Sequence, residues 1–304
     1  MRDDDGPGPL TPGADRMDAE YPSTRRGIDV RPMRPSDRER VTEICRDVWD
    51  GHDYMPRVFD DWVGEAGPAF QAAELDGVVV GMQRLRPYAP GLIWYEGLRV
   101  ASAHRRQGLA RAMLASAIAE AHEQGFHAMR LATGNAEAAT LFESLGFVRL
   151  VDVRWWRGRR VEGGEPARMP DAAAARALWP AAERSPGIEL YGDVMPDFNG
   201  ARDLGADELE RLGALGMIRV GPGGRAMVAL REPWGSNIAV AFVAGRGGAL
   251  RELLMALRYE ADADGLDHVT ITLPRGHPAA DDLSASGYDL ANDDDSSYIY
   301  GLTL

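Results

Sequence analysis

An apolar strand that runs into an arginine-rich glycine turn constrains this chain more than any other feature. Leu98-Arg99-Val100 ends the strand, and Arg105-Arg106-Gln107-Gly108-Leu109-Ala110-Arg111 opens an amphipathic helix. That order brings the unpaired N–H groups of the first helical turn to one point, where they bind anions. Gly108 allows a close backbone approach, Ala110 keeps the next turn clear, and Arg105, Arg106 and Arg111 put charge where a pyrophosphate would lie. Leu109, Met113, Ala117, Ile118 and Ala121 recur at helical spacing across Gly108–Gln124, and Gly125 stops the helix.

At 304 residues the chain has room for two domains. Its 45% apolar and 27% charged residues are those of a globular protein, and no apolar run approaches the ~20 residues that span a bilayer. Residues 1–27 are rich in Asp, Gly and Pro and read as a disordered tail, not a signal peptide. Cys45 is the single cysteine, so no intrachain disulfide is possible, and the cytoplasm is the expected compartment. A net charge of −13 argues against nucleic acid or an anionic membrane as partner and suits a cationic small molecule. All 34 basic residues are arginine, which excludes acetylation of the chain's own lysines. His268 and His277 lack zinc spacing and Asp293-Asp294-Asp295 lacks calcium-loop ligands, so no metal is expected.

The pattern predicts a strand over Ile28–Arg31 and a helix capped by Ser36, with Glu39 completing a capping box. A hairpin follows, Phe70–Glu74 and Val78–Leu85 across Asp76-Gly77, and then strands at Trp94–Val100 and Met129–Thr133. The second half repeats the first. Gly108 and Gly125 align without a gap on Gly248 and Gly265, Arg111 on Arg251, Leu114 on Leu254 and Leu131 on Ile271. Such self-similarity predicts a duplicated domain: a first unit at 28–157, a linker at 158–185 with a short helix over Asp171–Ala182, and a second unit at 186–304. In the second copy Gly245, Gly247 and Leu250 replace Arg105, Gln107 and Ala110, Arg275 replaces Asn135, and the strand Asn237–Ala244 holds no carboxylate. That copy reads as catalytically silent, a structural partner or a wall for the acceptor pocket.

The strand Trp94–Val100, the loop Gln/Arg-x-x-Gly-x-Ala, the strand Met129–Thr133 and the segment from Asn135 to Leu145-Gly146-Phe147 occur in one order. Together they resemble the GNAT superfamily of acyl-CoA N-acyltransferases over residues 28–153. The resemblance implies an α+β fold, here two tandem GNAT-like domains, each a mixed, mostly antiparallel sheet flanked by helices, the second degenerate. It implies acetyl-CoA as co-substrate, Leu98, Arg99 and Val100 as main-chain contacts to its pantetheine arm, and Arg105 to Arg111, Gln107 and Leu109 included, at its pyrophosphate. Asn135 matches a position that touches the cofactor, caps the following helix, or does both. Glu96 matches the general base, acting directly or through water; the alternative is a strand-edge carboxylate paired with arginine. Many relatives place a thiolate-protonating tyrosine where this chain has Phe142, which is expected to pack against the cofactor instead. Water, the acceptor's own proton, Tyr54 or Tyr95 are the substitutes.

His52, Asp53 and Tyr54 lie where this fold builds its acceptor pocket, and Val48–Trp62 with Glu96–Val100 resembles histidine N-acetyltransferase and its microbial relatives. The alternative makes Tyr54 and Trp62 core residues. Asp193, Asp197 and Trp234 are further candidates from the second half. The implied activity is acetyl transfer to the amine of a small molecule, an amino acid among them, in a ternary complex. The alternatives are a non-catalytic acyl-CoA-binding sensor and an acetyltransferase for an antibiotic or natural product.

Overall fold

The computed structural model describes residues 28–65, 69–233, 235–291 and 297–304. The tail 1–27, Trp234 and Asp293-Asp294-Asp295 lie outside them. The N-terminal half runs β1 (Ile28–Pro32), α1 (Arg38–Cys45), α2 (Met55–Gly64), β2 (Phe70–Leu75), β3 (Val78–Ala89), β4 (Leu92–Val100), α3 (Leu109–Glu123), β5 (Ala128–Thr133), α4 (Ala136–Glu143) and β6 (Val148–Arg159). There follow α5 (Ala172–Ala177), α6 (Trp179–Ala182), β7 (Val194–Met195), β8 (Arg202–Asp203), α7 (Ala206–Ala214), β9 (Ile218–Val220) and β10 (Met227–Arg231). The chain closes with β11 (Asn237–Ala244), α8 (Gly247–Ala263), β12 (His268–Pro274), α9 (Ala280–Ala285), β13 (Asp289–Leu290) and β14 (Ser297–Thr303).

The fold is α+β, a mixed and mostly antiparallel sheet flanked by helices. Its main path runs β1-β2-β3-β4-β5-β14-β6-β12-β11-β10-β9, with β13 on β6. Two pairs on it are parallel, β4–β5 and β11–β12, and each is the pair joined through a long helix, α3 or α8. At the centre the order departs from the order in sequence. β14 pairs with β5 from Tyr298↔Thr133 to Thr303↔Ala128, and β6 pairs with β12 from Val153↔Pro274 to Arg159↔His268. Each half therefore completes its sheet with the other half's strand, and β6 and β14 pair with each other between them. The segment 158–185 includes the end of β6 as well as α5 and α6, whose Asp171 side chain accepts the Ala174 N–H at 2.8 Å.

Helical periodicity translates into burial as expected. Leu109, Met113, Ala117, Ile118 and Ala121 of α3 are all buried, the last three in one cluster with Leu85, Tyr95, Phe142 and Tyr300. The start of α1 differs from its prediction. Ser36 and Glu39 form no capping box; Pro35–Asp37 is a short 3-10 turn, and Asp37 accepts the Arg34 N–H at 2.8 Å while it also binds Arg31. The carboxylate is better placed than the hydroxyl because it satisfies a backbone donor and a guanidinium at once. Cys45 packs in the core of the N-terminal half, and burial pushes its thiol up to about 12, which makes it inert.

His277 gives the fold a predictable acid sensitivity. It is 2% exposed, its Nδ1 accepts the Ala279 N–H at 3.1 Å, and its ring meets Tyr191 edge-on. Burial holds its pKa down to about 4 from 6.5. The unfolded chain then binds a proton that the folded chain refuses, so the contribution is full above pH 6.5 and falls away as pH drops towards 4. The loss over that window is about 3 kcal/mol. Urea midpoints measured across it should fall more steeply for the wild type than for His277→Gln, which has no proton to bind.

Candidate functional site

The anion loop follows β4 without interruption. Ala101 leads into the turn Ser102–His104, Arg106 and Gly108 take left-handed conformations (φ 62° and 80°), and α3 begins at Leu109. The first intrahelical bond is Ala112 N–H to Gly108 carbonyl, which leaves the N–H groups ahead of it for a ligand. The space a Cβ would occupy at Gly108 is open. Arg105 Nε ties the loop back to the Val100 carbonyl at 3.1 Å, Gln107 binds the Ala103 carbonyl at 3.2 Å, and Arg111 reaches Ser144 Oγ at 2.6 Å. Gln107 therefore shapes the loop and does not line the cleft, whereas Arg105, Arg106, Gly108, Leu109, Ala110 and Arg111 do. We expect Gly108→Val to weaken acetyl-CoA binding at least tenfold by calorimetry. A side chain at φ 80° costs about 1–2 kcal/mol and intrudes on the open cradle.

Beside the loop, β4 parts from β5. The two strands pair over Leu92↔Ala128, Ile93↔Met129 and Trp94↔Arg130; beyond Trp94 the only sheet partner of β4 among the described residues is β3. The edge of Leu98, Arg99 and Val100 that faces β5 is open, and these residues line a cleft of about 2110 Å³. Opposite Gln83 of β3 stand two residues, Gly97 and Leu98, and this bulge carries φ 72° at Gly97. A Cβ there would lie tight against Met55 Cε at 3.0 Å and Trp62 at 3.3 Å, and the positive φ itself favours glycine. Sequence reasoning missed the bulge, although a glycine inside a strand is its usual signal.

The bulge follows Glu96 directly. Arg84 and Arg86 of β3 both donate to Glu96 Oε1, Arg86 from Nε at 3.1 Å, and Arg84 also binds Glu65. Oε2 meets no protein group among the described residues, and the carboxylate lines the cleft. Both readings of Glu96 thus meet in one residue: arginines hold one oxygen and the other is presented. Arg84 is itself buried and stacked on the Trp62 ring at 4.2 Å, so its position is fixed from two sides.

The remaining predicted residues separate. Asn135 caps α4, accepting the Ala138 N–H at 3.0 Å, and also lines the cleft. Phe142 is 4% exposed, packed against Tyr95, Phe147 and Tyr300, with one face on the cleft. Tyr54 lines the cleft between Trp49 and Trp62, and burial pushes its hydroxyl up to about 12, so it stays a donor. The Tyr95 hydroxyl points instead to Gln83 Oε1 at 3.1 Å inside the core. His52 is exposed and off the cleft. Asp53 lies beneath Arg99 and binds it at 2.8 and 3.2 Å. Burial works against its charge, yet the Arg99 guanidinium holds its carboxyl below the usual range. It thereby pins Arg99.

The C-terminal half reaches the same cleft through Met195, Asp197, Phe198, Asn199 and Arg231, and β6 of the N-terminal half adds Trp155. Asp193 does not reach it. At the start of α8, where an anion cradle would repeat, the Gly247 N–H donates to Asp282 Oδ2 at 2.7 Å and Arg251 lies 3.5 Å from the same carboxylate. An internal anion occupies that helix start. No cluster of three metal-ligating side chains occurs among the described residues, nor does any helix long and apolar enough to cross a membrane.

Residues 38–147 match the acetyltransferase (GNAT) family. Mouse N-acetyltransferase 8 is 31% identical over 116 residues, 34% of this chain and 51% of the mouse protein. The human protein of that name is 31% identical over 111 residues, 34% of this chain and 46% of its own length. The chain spans about half the length of these curated relatives. Among solved structures, a GCN5-related N-acetyltransferase from Sphaerobacter thermophilus shares the fold over 92% of this chain and 97% of its own, with a TM-score of 0.55 at 12% identity. A Thermoplasma acidophilum protein does so over 91% and 100%, with a TM-score of 0.58 at 14% identity. The stretch 38–147, which holds the anion loop, the parted strands and Glu96, is the part of the chain that matches the acetyltransferase (GNAT) family.

Proposed function

We propose that the protein is an acetyl-CoA-dependent N-acetyltransferase acting on the amine of a small molecule, an amino acid among the candidates. The observation that carries this reading is the half-bound Glu96: one oxygen held by two arginines, the other presented to a cleft that begins at an anion cradle. In the reaction the amine, relieved of its proton by Glu96 Oε2 directly or through water, attacks the thioester carbonyl. The C–N bond forms, the C–S bond breaks, and the sulfur leaves with the electron pair. Unpaired strand-four N–H groups polarise the carbonyl. Tyr54 is the hydroxyl on the cleft that can protonate the thiolate in place of Phe142. No covalent enzyme intermediate is required.

We read the two halves as tandem GNAT-like units, 28–157 and 186–304, with the second silent. The matching parallel pairs behind α3 and α8 support this, and so does the carboxylate seated at the start of α8. Binding to one cradle per chain follows. The test is thiol release from acetyl-CoA with a panel of amino acids, including histidine, and of other amines and aminoglycosides. Saturable release with one acceptor class carries the proposal; tight 1:1 acetyl-CoA binding with no release across the panel favours the sensor reading, for which Phe142 is the supporting residue.

A further inference from the structure

The C-terminal half brings carboxylates of its own to the cleft, Asp197 and Glu232. Asp197, on the segment between β7 and β8, is 7% exposed and lines the cleft. Its Oδ1 accepts the Asn199 N–H at 2.9 Å, and its Oδ2 has no protein partner among the described residues. A continuous path joins it to Glu96: Arg86 donates from Nε to Glu96 Oε1 and from its terminal nitrogen to the Asn199 carbonyl. The same segment is fixed by Arg130 on the Ala201 carbonyl at 3.0 Å and by Arg202 on the Tyr88 carbonyl at 2.7 Å. Asp197 is thus rigidly placed relative to the candidate base, although it comes from the other half of the chain.

Arg84 is shared between Glu65 and Glu96, Arg86 between Glu96 and Asn199, and Arg231 donates to the Glu232 carbonyl. Acceptor oxygens stand open on this stretch, Glu96 Oε2 at one point and Asp197 Oδ2 at another, and the buried Arg231 guanidinium stands on the same cleft near Asp197. Aromatic side chains stand on the same stretch of cleft, with Trp155 and Phe198 5.2 Å apart and Tyr88 beside Arg86, a surface that suits an aliphatic spacer. Burial pushes the Asp197 carboxyl up, against the pull of the Asn199 N–H and Arg231, so a cation beside it is favoured over an empty site.

We propose that Asp197 is the specificity residue of the acceptor site and binds a second, protonated nitrogen of the acceptor, which makes the substrate class diamines rather than simple amines. This rests on the acetyltransferase reading of the same cleft. The test compares putrescine with butylamine, which has the same carbon chain, in the wild type and in Asp197→Asn. The asparagine keeps an oxygen for the Asn199 N–H and removes only the charge. The variant should raise the KM for putrescine about tenfold or more, leave kcat within about twofold, and leave KM for butylamine and for acetyl-CoA unchanged. Equal effects on both amines, or none on either, overturn the proposal. If the wild type releases no thiol with any amine, the acetyltransferase reading falls, and calorimetry of putrescine against the CoA-bound protein decides the rest. Binding that weakens in the variant upholds Asp197 as a diamine site; unchanged or absent binding overturns it.

Discussion

Glu96→Gln lowers kcat by about 10²–10⁴-fold and leaves acetyl-CoA affinity as it was. The amide oxygen of glutamine still accepts from Arg84 and Arg86, so the side chain keeps its place on the bulged strand. What it loses is a second oxygen able to take the proton that the amine must shed. Steady-state kinetics with thiol detection measure the first quantity and calorimetry the second. An equal loss in both would mean that Glu96 shapes the cleft and does no proton transfer. An unchanged kcat would point to water alone as base.

Removing Ser297–Thr303 abolishes the folded state of the whole chain. β14 covers the edge of β5 on one side and of β6 on the other, and without it both strands present bare N–H and C=O groups in the middle of a sheet. Ile299 and Tyr300 are fully buried, and Tyr300 packs on Phe142. The combined loss exceeds the ~5–15 kcal/mol that holds a typical domain together. Circular dichroism and size-exclusion chromatography of the truncated chain should show loss of cooperative melting and aggregation. Ile299→Ala gives the graded version, a loss of about 2–5 kcal/mol in urea unfolding. A truncated chain that still melts cooperatively would show that β14 is dispensable to the sheet.

Much of the N-terminal half was legible because its signals are local. The helical spacing of Leu109 to Ala121, the stop at Gly125, the hairpin across Asp76-Gly77 and the Asn135 cap each depend on a few adjacent residues. Glu96 was singled out as the candidate base from its place before the loop. The arginines that hold it were not, because Arg84 and Arg86 meet Glu96 across a strand pair whose register is shifted by the Gly97 bulge. The pairing of Asp53 with Arg99 was hidden for a related reason, because the two residues lie 46 positions apart. The exchange of β6 and β14 leaves no local trace at all, since each strand has ordinary alternation and differs only in which half it completes.

That exchange also sets an order in time. The chain emerges from the ribosome with its N-terminus first, and β5 is made long before the strand that covers it. Until Ser297–Thr303 follows, the half carrying the anion loop and Glu96 has an incomplete sheet, however complete its own sequence. A chain cut short within the C-terminal half therefore leaves β5 and β6 with bare edges. The loop at the start of α3 joins a finished sheet only once Ser297–Thr303 has been made.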